Sequence, residues 1–164
     1  MGAVNYFTSD YITMGVDINA IEEFNTVYRG LNRDIPDTDF DSVRIDIELL
    51  LEDVQSVLDK YNFYYFHVTI KPGYYEGFTL DIESNFPVAL DSWEDRKDAQ
   101  KEITELKQFL IDCAGLGLVK CSPGWCTGYS DYKGTIKAIK AAVKEMREEI
   151  KTVPTWAQYE RSVS

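Results

Sequence analysis

The chain has 164 residues, is 45% hydrophobic and 13% aromatic, and carries a net charge of −11. That is the size of one domain with enough apolar material to bury a core, which excludes an intrinsically disordered chain. No apolar run approaches the roughly 18 residues of a membrane span, and the start, MGAVNYFTSDYITMG, lacks the basic residues and apolar centre of a secretory signal. A protein of the reducing cytoplasm, without stable disulfides, is expected.

Residues 5–13 are rich in Tyr, Phe, Ile and Thr and predict a strand or extended arm. DINAIEEFNTVYR, over 17–29, puts Ile18, Ile21, Phe24 and Val27 at helical spacing, and Gly30 can close that helix. RDIPDTDFD reads as a loop, with Asp39 or Asp41 available to cap a helix over 42–60. The apolar stripe of that helix is Val43, Ile47, Leu50, Val54 and Val57.

NFYYFHVTI (62–70) is aromatic and β-branched, KPGYYEG (71–77) is a turn, and FTLDIESNF (78–86) alternates apolar and polar. Together they predict a β-hairpin with one buried face. Ser92-Trp-Glu-Asp95 has the form of a capping box with Asp in place of Glu. The helix behind it runs through Ala99, Ile103, Leu106 and Leu110 to about Cys113, and Gly115 ends it. LGLVKC (116–121) predicts a short buried strand, and a last helix spans 133–151. The tail, 154–164, either docks through Trp156 and Tyr159 or frays. The order β-α-α-β-β-α-β-α predicts one α+β domain over 1–164, a small, mainly antiparallel sheet around a central hairpin, packed with about four helices.

The single histidine, His67, and the three cysteines, Cys113, Cys121 and Cys126, make a Cys3His composition suited to structural zinc. The spacing C-x7-C-x4-C contains no C-x2-C knuckle, so a second reading stands beside it. In that reading Cys113 and Cys121 are small buried residues, CSPGWC is a tight turn, and His67 faces Asp81 across the hairpin. Structural zinc is the one cofactor the first reading would take, and none is required by the second.

Catalytic motifs are missing: there is no Walker loop, no G-x-G-x-x-G and no H-E-x-x-H. Asp81 and Glu83 lie two positions apart on one strand face and, with His67, are the candidates for a metal-dependent nuclease or nucleotide-processing site. The Glu-x-Lys triplets fall on helices instead of that hairpin, so a solvated strand face is the plainer reading.

Charge is unevenly spread. From Asp34 to Asp59 there are nine acids against Arg44, a net −8, while Lys133 to Lys151 holds six bases and three acids, a net +3. At 100° per residue, Asp41, Glu48, Glu52 and Asp59 fall within about 20° of one line on their helix. Such a row is either a solvated face or a surface for a cationic partner, and it disfavours free DNA and anionic membrane. On the last helix, Lys133, Lys137, Lys140, Lys144, Arg147 and Lys151 run beside an apolar row of Ile136, Ile139, Val143, Met146 and Ile150. Those cations are expected to shield the core edge and to pair with the acidic helix; a nucleic-acid-binding helix is the alternative. Tyr74 and Tyr75 at the hairpin tip, and Trp125, Tyr129 and Tyr132 near the cysteine loop, are candidate binding anchors.

The stretches MGAVNYFTSDYITMG, KPGYYEGFTLDIESNF, SWEDRKDAQKEITELKQFL and CSPGWCTGYSDYKGT resemble small acidic proteins of phages and mobile elements of Gram-positive bacteria, a group that includes anti-CRISPR proteins acting on Cas9. The resemblance implies a non-enzymatic inhibitor in the host cytoplasm, and a basic host partner such as Cas9 or its guide-RNA complex. It carries over no individual residue. Joined to the charge pattern, it gives the expectation that Asp41, Glu48, Glu52 and Asp59, with Tyr74 and Tyr75, contact the partner and block DNA loading.

Overall fold

The computed structural model describes residues 6–16, 37–72, 78–121 and 130–163, with the backbone alone at 6–10, 37–46 and 72. The elements are β1 (Tyr6–Val16), α1 (Asp37–Leu58), β2 (Phe66–Pro72), β3 (Phe78–Pro87), α2 (Trp93–Gly115), β4 (Leu118–Lys120), α3 (Tyr132–Thr152) and α4 (Trp156–Val163). The four strands form an antiparallel sheet in the order β2-β3-β1-β4, so the fold is α+β as expected. The helix expected over 17–29 lies outside the described residues.

The central hairpin follows from the two-residue period. Val68 pairs with Ile82 and Ile70 with Leu80. On that face Phe66, Leu80, Ile82 and Phe86 are buried with Ile12, Met14 and Val16 of β1. Each such side chain contributes about 1.5–3 kcal/mol when it leaves water. The intervening residues, His67, Thr69 and Lys71 on β2 and Thr79, Asp81 and Glu83 on β3, occupy the opposite face.

β1 pairs along β3 with a register shift between Asp10 and Ile12, which makes Tyr11 the extra residue of a β-bulge. The bulge turns Tyr11 towards the core. Its ring lies 6.1 Å from that of Phe66, and its hydroxyl donates to the Glu149 carboxylate on α3. Gly15 of β1 sits at a close approach: a Cβ there would lie 3.1 Å from Cys121 Sγ and 3.3 Å from the Phe78 carbonyl oxygen, so its neighbours would have to shift by a few tenths of an ångström.

The helices build their own layer on the apolar face of the sheet. α2 buries Ala99, Ile103, Leu106, Phe109 and Leu110, and α3 buries Ile139, Val143, Met146 and Ile150. α2 packs against both α1 and α3, while α1 and α3 share no comparable contact. α1 contributes Ile47 and Val54, with Leu50 and Val57 half-buried at its margins. It starts at Asp37, not at 42, so Asp39 and Asp41 lie inside the helix instead of capping it. Acids in a first turn are favoured by the helix dipole, which lets the helix extend back through them.

The capping box of α2 forms: the Ser92 N–H donates to Asp95 Oδ2 at 3.0 Å. The glycine that closes α2 is Gly117, with φ 109°, instead of Gly115, which is still helical. α3 begins behind Asp131, whose Oδ1 accepts from the Gly134 N–H at 2.7 Å. Asp131→Ala is therefore expected to cost about 1 kcal/mol in urea unfolding, and Asp131→Asn much less, since Asn caps equally well.

The tail docks. The Leu90 N–H donates to the Pro154 carbonyl at 2.8 Å, the Trp156 N–H donates to the Leu90 carbonyl at 3.0 Å, and Thr155 is buried between them. Backbone pairing with Leu90 holds it; the Trp156 ring is exposed and stacks edge-on with Tyr159. No helix among the described residues is long and apolar enough to cross a membrane.

Candidate functional site

α1 is amphipathic, and its packing on α2 fixes which side faces outward. Ile47 and Val54 are buried seven positions apart, so the acids between and beyond them turn away. Glu48, Glu52 and Asp53 are exposed on α1, and Asp59 is exposed just past its last residue. None of these four carboxylates makes an ion pair with a described residue. Asp41 lies on α1 at the same angular position as Glu48 and Glu52. Leu49, beside them, is 53% exposed. Tyr74 and Tyr75, like Trp125 and Tyr129, lie outside the described residues.

The basic row is on α3, across α2 from the acidic helix. Lys133, Lys137, Lys140 and Lys144 are exposed and make no ion pair with a described residue. The expected pairing of this row with the acidic helix is not found among the described residues, and α2 packs against both helices. Arg147 differs from the lysines. It is half-buried and donates to Gln100 Oε1 at 2.8 Å and Thr104 Oγ1 at 2.9 Å, riveting α3 to α2. Among the described residues Lys151 pairs with Glu148 of its own helix, at 3.7 Å.

The zinc candidates are not brought together. Cys113 is fully buried in the core between α2 and the sheet. Cys121, also buried, follows β4 and lies over Gly15 on the opposite sheet face. His67 shares that second face but sits on β2, and the strand order puts β3 and β1 between it and β4. At about 4.8 Å per strand, His67 and Cys121 are roughly 14 Å apart. Cys126 lies outside the described residues. Burial pushes the Cys113 thiol up to about 12, so it stays protonated at neutral pH and behaves as a core side chain.

His67 faces Glu83, not Asp81, across the hairpin; Asp81 is opposite Thr69. Asp81 is also less solvated than a plain exposed strand residue. Its side chain is 17% exposed and pairs with Lys71 Nζ at 2.9 Å, and its Oδ1 is buried with no hydrogen-bond partner among the described residues. His67, Asp81 and Glu83 share one sheet face, yet among the described residues no three His, Cys, Asp or Glu side chains converge as a metal site.

One functional-looking carboxylate escaped the sequence reading. Glu102 is buried on α2 and accepts hydrogen bonds from the backbone N–H groups of Tyr64 and Tyr65, with Tyr65 at 2.9 Å from Oε2. Burial holds its carboxyl above the usual range, against the pull of those two donors. The signal was present: position 102 falls on the stripe defined by Ala99, Ile103 and Leu106, where an acid must find internal donors. Its role is to anchor the segment between α1 and β2. Two further exposed aromatics stand out, Tyr64 and Trp93, the latter with the Arg96 guanidinium 4.3 Å above its ring.

Compared with known proteins, the chain matches no family model, no curated protein and no solved structure. The surfaces themselves are what a functional reading must rest on.

Proposed function

We propose that this chain is a stoichiometric inhibitor that acts by binding, setting the acidic face of α1 against a cationic nucleic-acid-binding surface of a host defence enzyme. Cas9 is the partner that the sequence resemblance points to, and blocked DNA loading is the expected consequence. The observation that carries the reading is that Glu48, Glu52 and Asp53 on α1, and Asp59 just past it, stand exposed and make no ion pair with any described residue. A concentrated negative field of that kind accelerates encounter with a basic groove and competes with phosphates for it.

The test is DNA cleavage by guide-loaded Cas9, with this protein added before or after target DNA at rising molar ratio. Inhibition near equal stoichiometry, seen only when the protein comes first, supports the reading. Reversing Asp41, Glu48, Glu52 and Asp59 to Lys is expected to weaken binding about tenfold or more while the far-ultraviolet spectrum stays unchanged. Unchanged inhibition moves the contact elsewhere. Turnover of a nucleic acid in molar excess, dependent on a divalent metal, would replace this reading by a catalytic one around His67, Asp81 and Glu83.

A further inference from the structure

α3 carries a groove of about 660 Å³ along its first turns, lined by Tyr132, Ile136, Lys133, Lys137 and Lys140, with the helix-capping Asp131 at one end. The groove is mainly apolar, and three lysines against Asp131 leave its rim net cationic. Tyr132 is 57% exposed, and none of the lysines meets an anion of a described residue. An occupant must therefore be an acidic element with a small apolar contact.

We infer that the occupant is α1 of a second copy of this chain. α1 has the required chemistry, exposed Leu49 flanked by exposed acids. It also has the required spacing. Glu48, Glu52 and Asp59 stand at intervals of four and seven. Lys133, Lys137 and Lys144 repeat those intervals, and Lys144, Lys140 and Lys133 repeat them in the reverse direction. Both rows cover about 16 Å of helix axis, and their common repeat is the one that keeps two adjacent helices in step. Within one copy the two rows cannot meet, because α2 separates α1 from α3.

Between two copies the contact is reciprocal. α1 of each lies on α3 of the other, so the pair closes on a two-fold axis instead of growing into a chain. The net charge of −11 per copy opposes association at long range, but at physiological salt that repulsion is screened beyond about 8 Å, whereas the paired rows are in contact. The inference does not depend on the function proposed above. If both hold, a second copy and the host partner compete for the same face of α1.

The experiment is sedimentation equilibrium in about 150 mM salt at protein concentrations up to about 200 µM, a range that reports weak affinities. The wild type is expected to shift from monomer to dimer. A variant with Glu48→Lys, Glu52→Lys and Asp59→Lys has two basic surfaces and is expected to stay monomeric. A second, with Lys133, Lys137, Lys140 and Lys144 changed to Glu, has two acidic surfaces and is also expected to stay monomeric. An equimolar mixture of the two restores opposite charge at both contacts and is expected to dimerise. All seven positions are exposed, so the fold is expected to survive. A wild type monomeric at every concentration overturns the inference, and so does a dimerising wild type whose mixed variants remain apart.

Discussion

Replacing Glu102 by Ala is expected to destabilise the protein by about 2–4 kcal/mol in urea unfolding at neutral pH. The cause is the pair of backbone N–H groups, of Tyr64 and Tyr65, that the carboxylate satisfies. The Tyr65 donor is buried and that of Tyr64 part-buried, and a buried donor left without an acceptor costs about 1–3 kcal/mol. Glu102→Gln keeps an acceptor oxygen at the same reach and is expected to retain most of the stability. The two variants also separate the hydrogen bonds from the charge. Burial raises the Glu102 carboxyl above its ordinary 4.5, so the folded state holds the proton more tightly than the unfolded chain does. Above the folded pKa, the native state carries the penalty of a buried charge. As pH falls through that pKa towards 4.5, the penalty is relieved and wild type gains stability relative to Glu102→Gln. Below 4.5 the gain stops. A stability difference between the two proteins that stays flat, or moves the other way, from pH 7 to 4.5 would show that the two N–H donors outweigh burial.

The hairpin was legible in the sequence because a two-residue period has only one solution: Phe66, Leu80 and Ile82 had to share a face, and they do. The stripes of α2 and α3 were legible for the same reason at helical period. What was not legible depended on events away from the residue itself. His67 faces Glu83 because the turn length sets the register, and nothing in NFYYFHVTI encodes it. Asp37 opens α1 because acids near a helix start suit its dipole, although RDIPDTDFD has the composition of a loop. Gly117 closes α2 through a positive φ that Gly115 could equally have supplied. The tail is held by backbone bonds to Leu90, while its conspicuous Trp156 ring stays outside. The Cys3His composition suggested a site, but a composition says nothing of sheet faces. One strand-and-turn step puts Cys121 on the side away from Cys113. The acidic row was read from α1's angular period alone, and its exposure follows from which side of that helix meets α2.

Phe109→Ala is expected to cost about 3–5 kcal/mol, enough to lower the melting temperature on the order of 10 °C. Phe109 is fully buried, and its ring meets those of Tyr61 and Phe63 edge-on at 5.9 Å and 6.0 Å. Tyr61 and Phe63 stack on each other at 5.4 Å. Both lie in the segment that leaves α1, and the Tyr61 N–H still donates to the Leu58 carbonyl. Removing the Phe109 ring opens a cavity under the point where α1 joins the core. Among the described side chains, the other deep anchors of α1 are Ile47 and Val54, whereas the sheet keeps Phe66, Leu80, Ile82 and Phe86. Amide exchange in Phe109→Ala is therefore expected to quicken in α1 before it quickens in β3, because local opening follows local burial. Binding through the acidic row is expected to weaken in step, although Phe109 touches none of those carboxylates, since ordering α1 would then draw on the binding energy. Exchange that rises evenly across the chain would instead mean that α1 is held as firmly as the sheet, and that its acids ride on a rigid element.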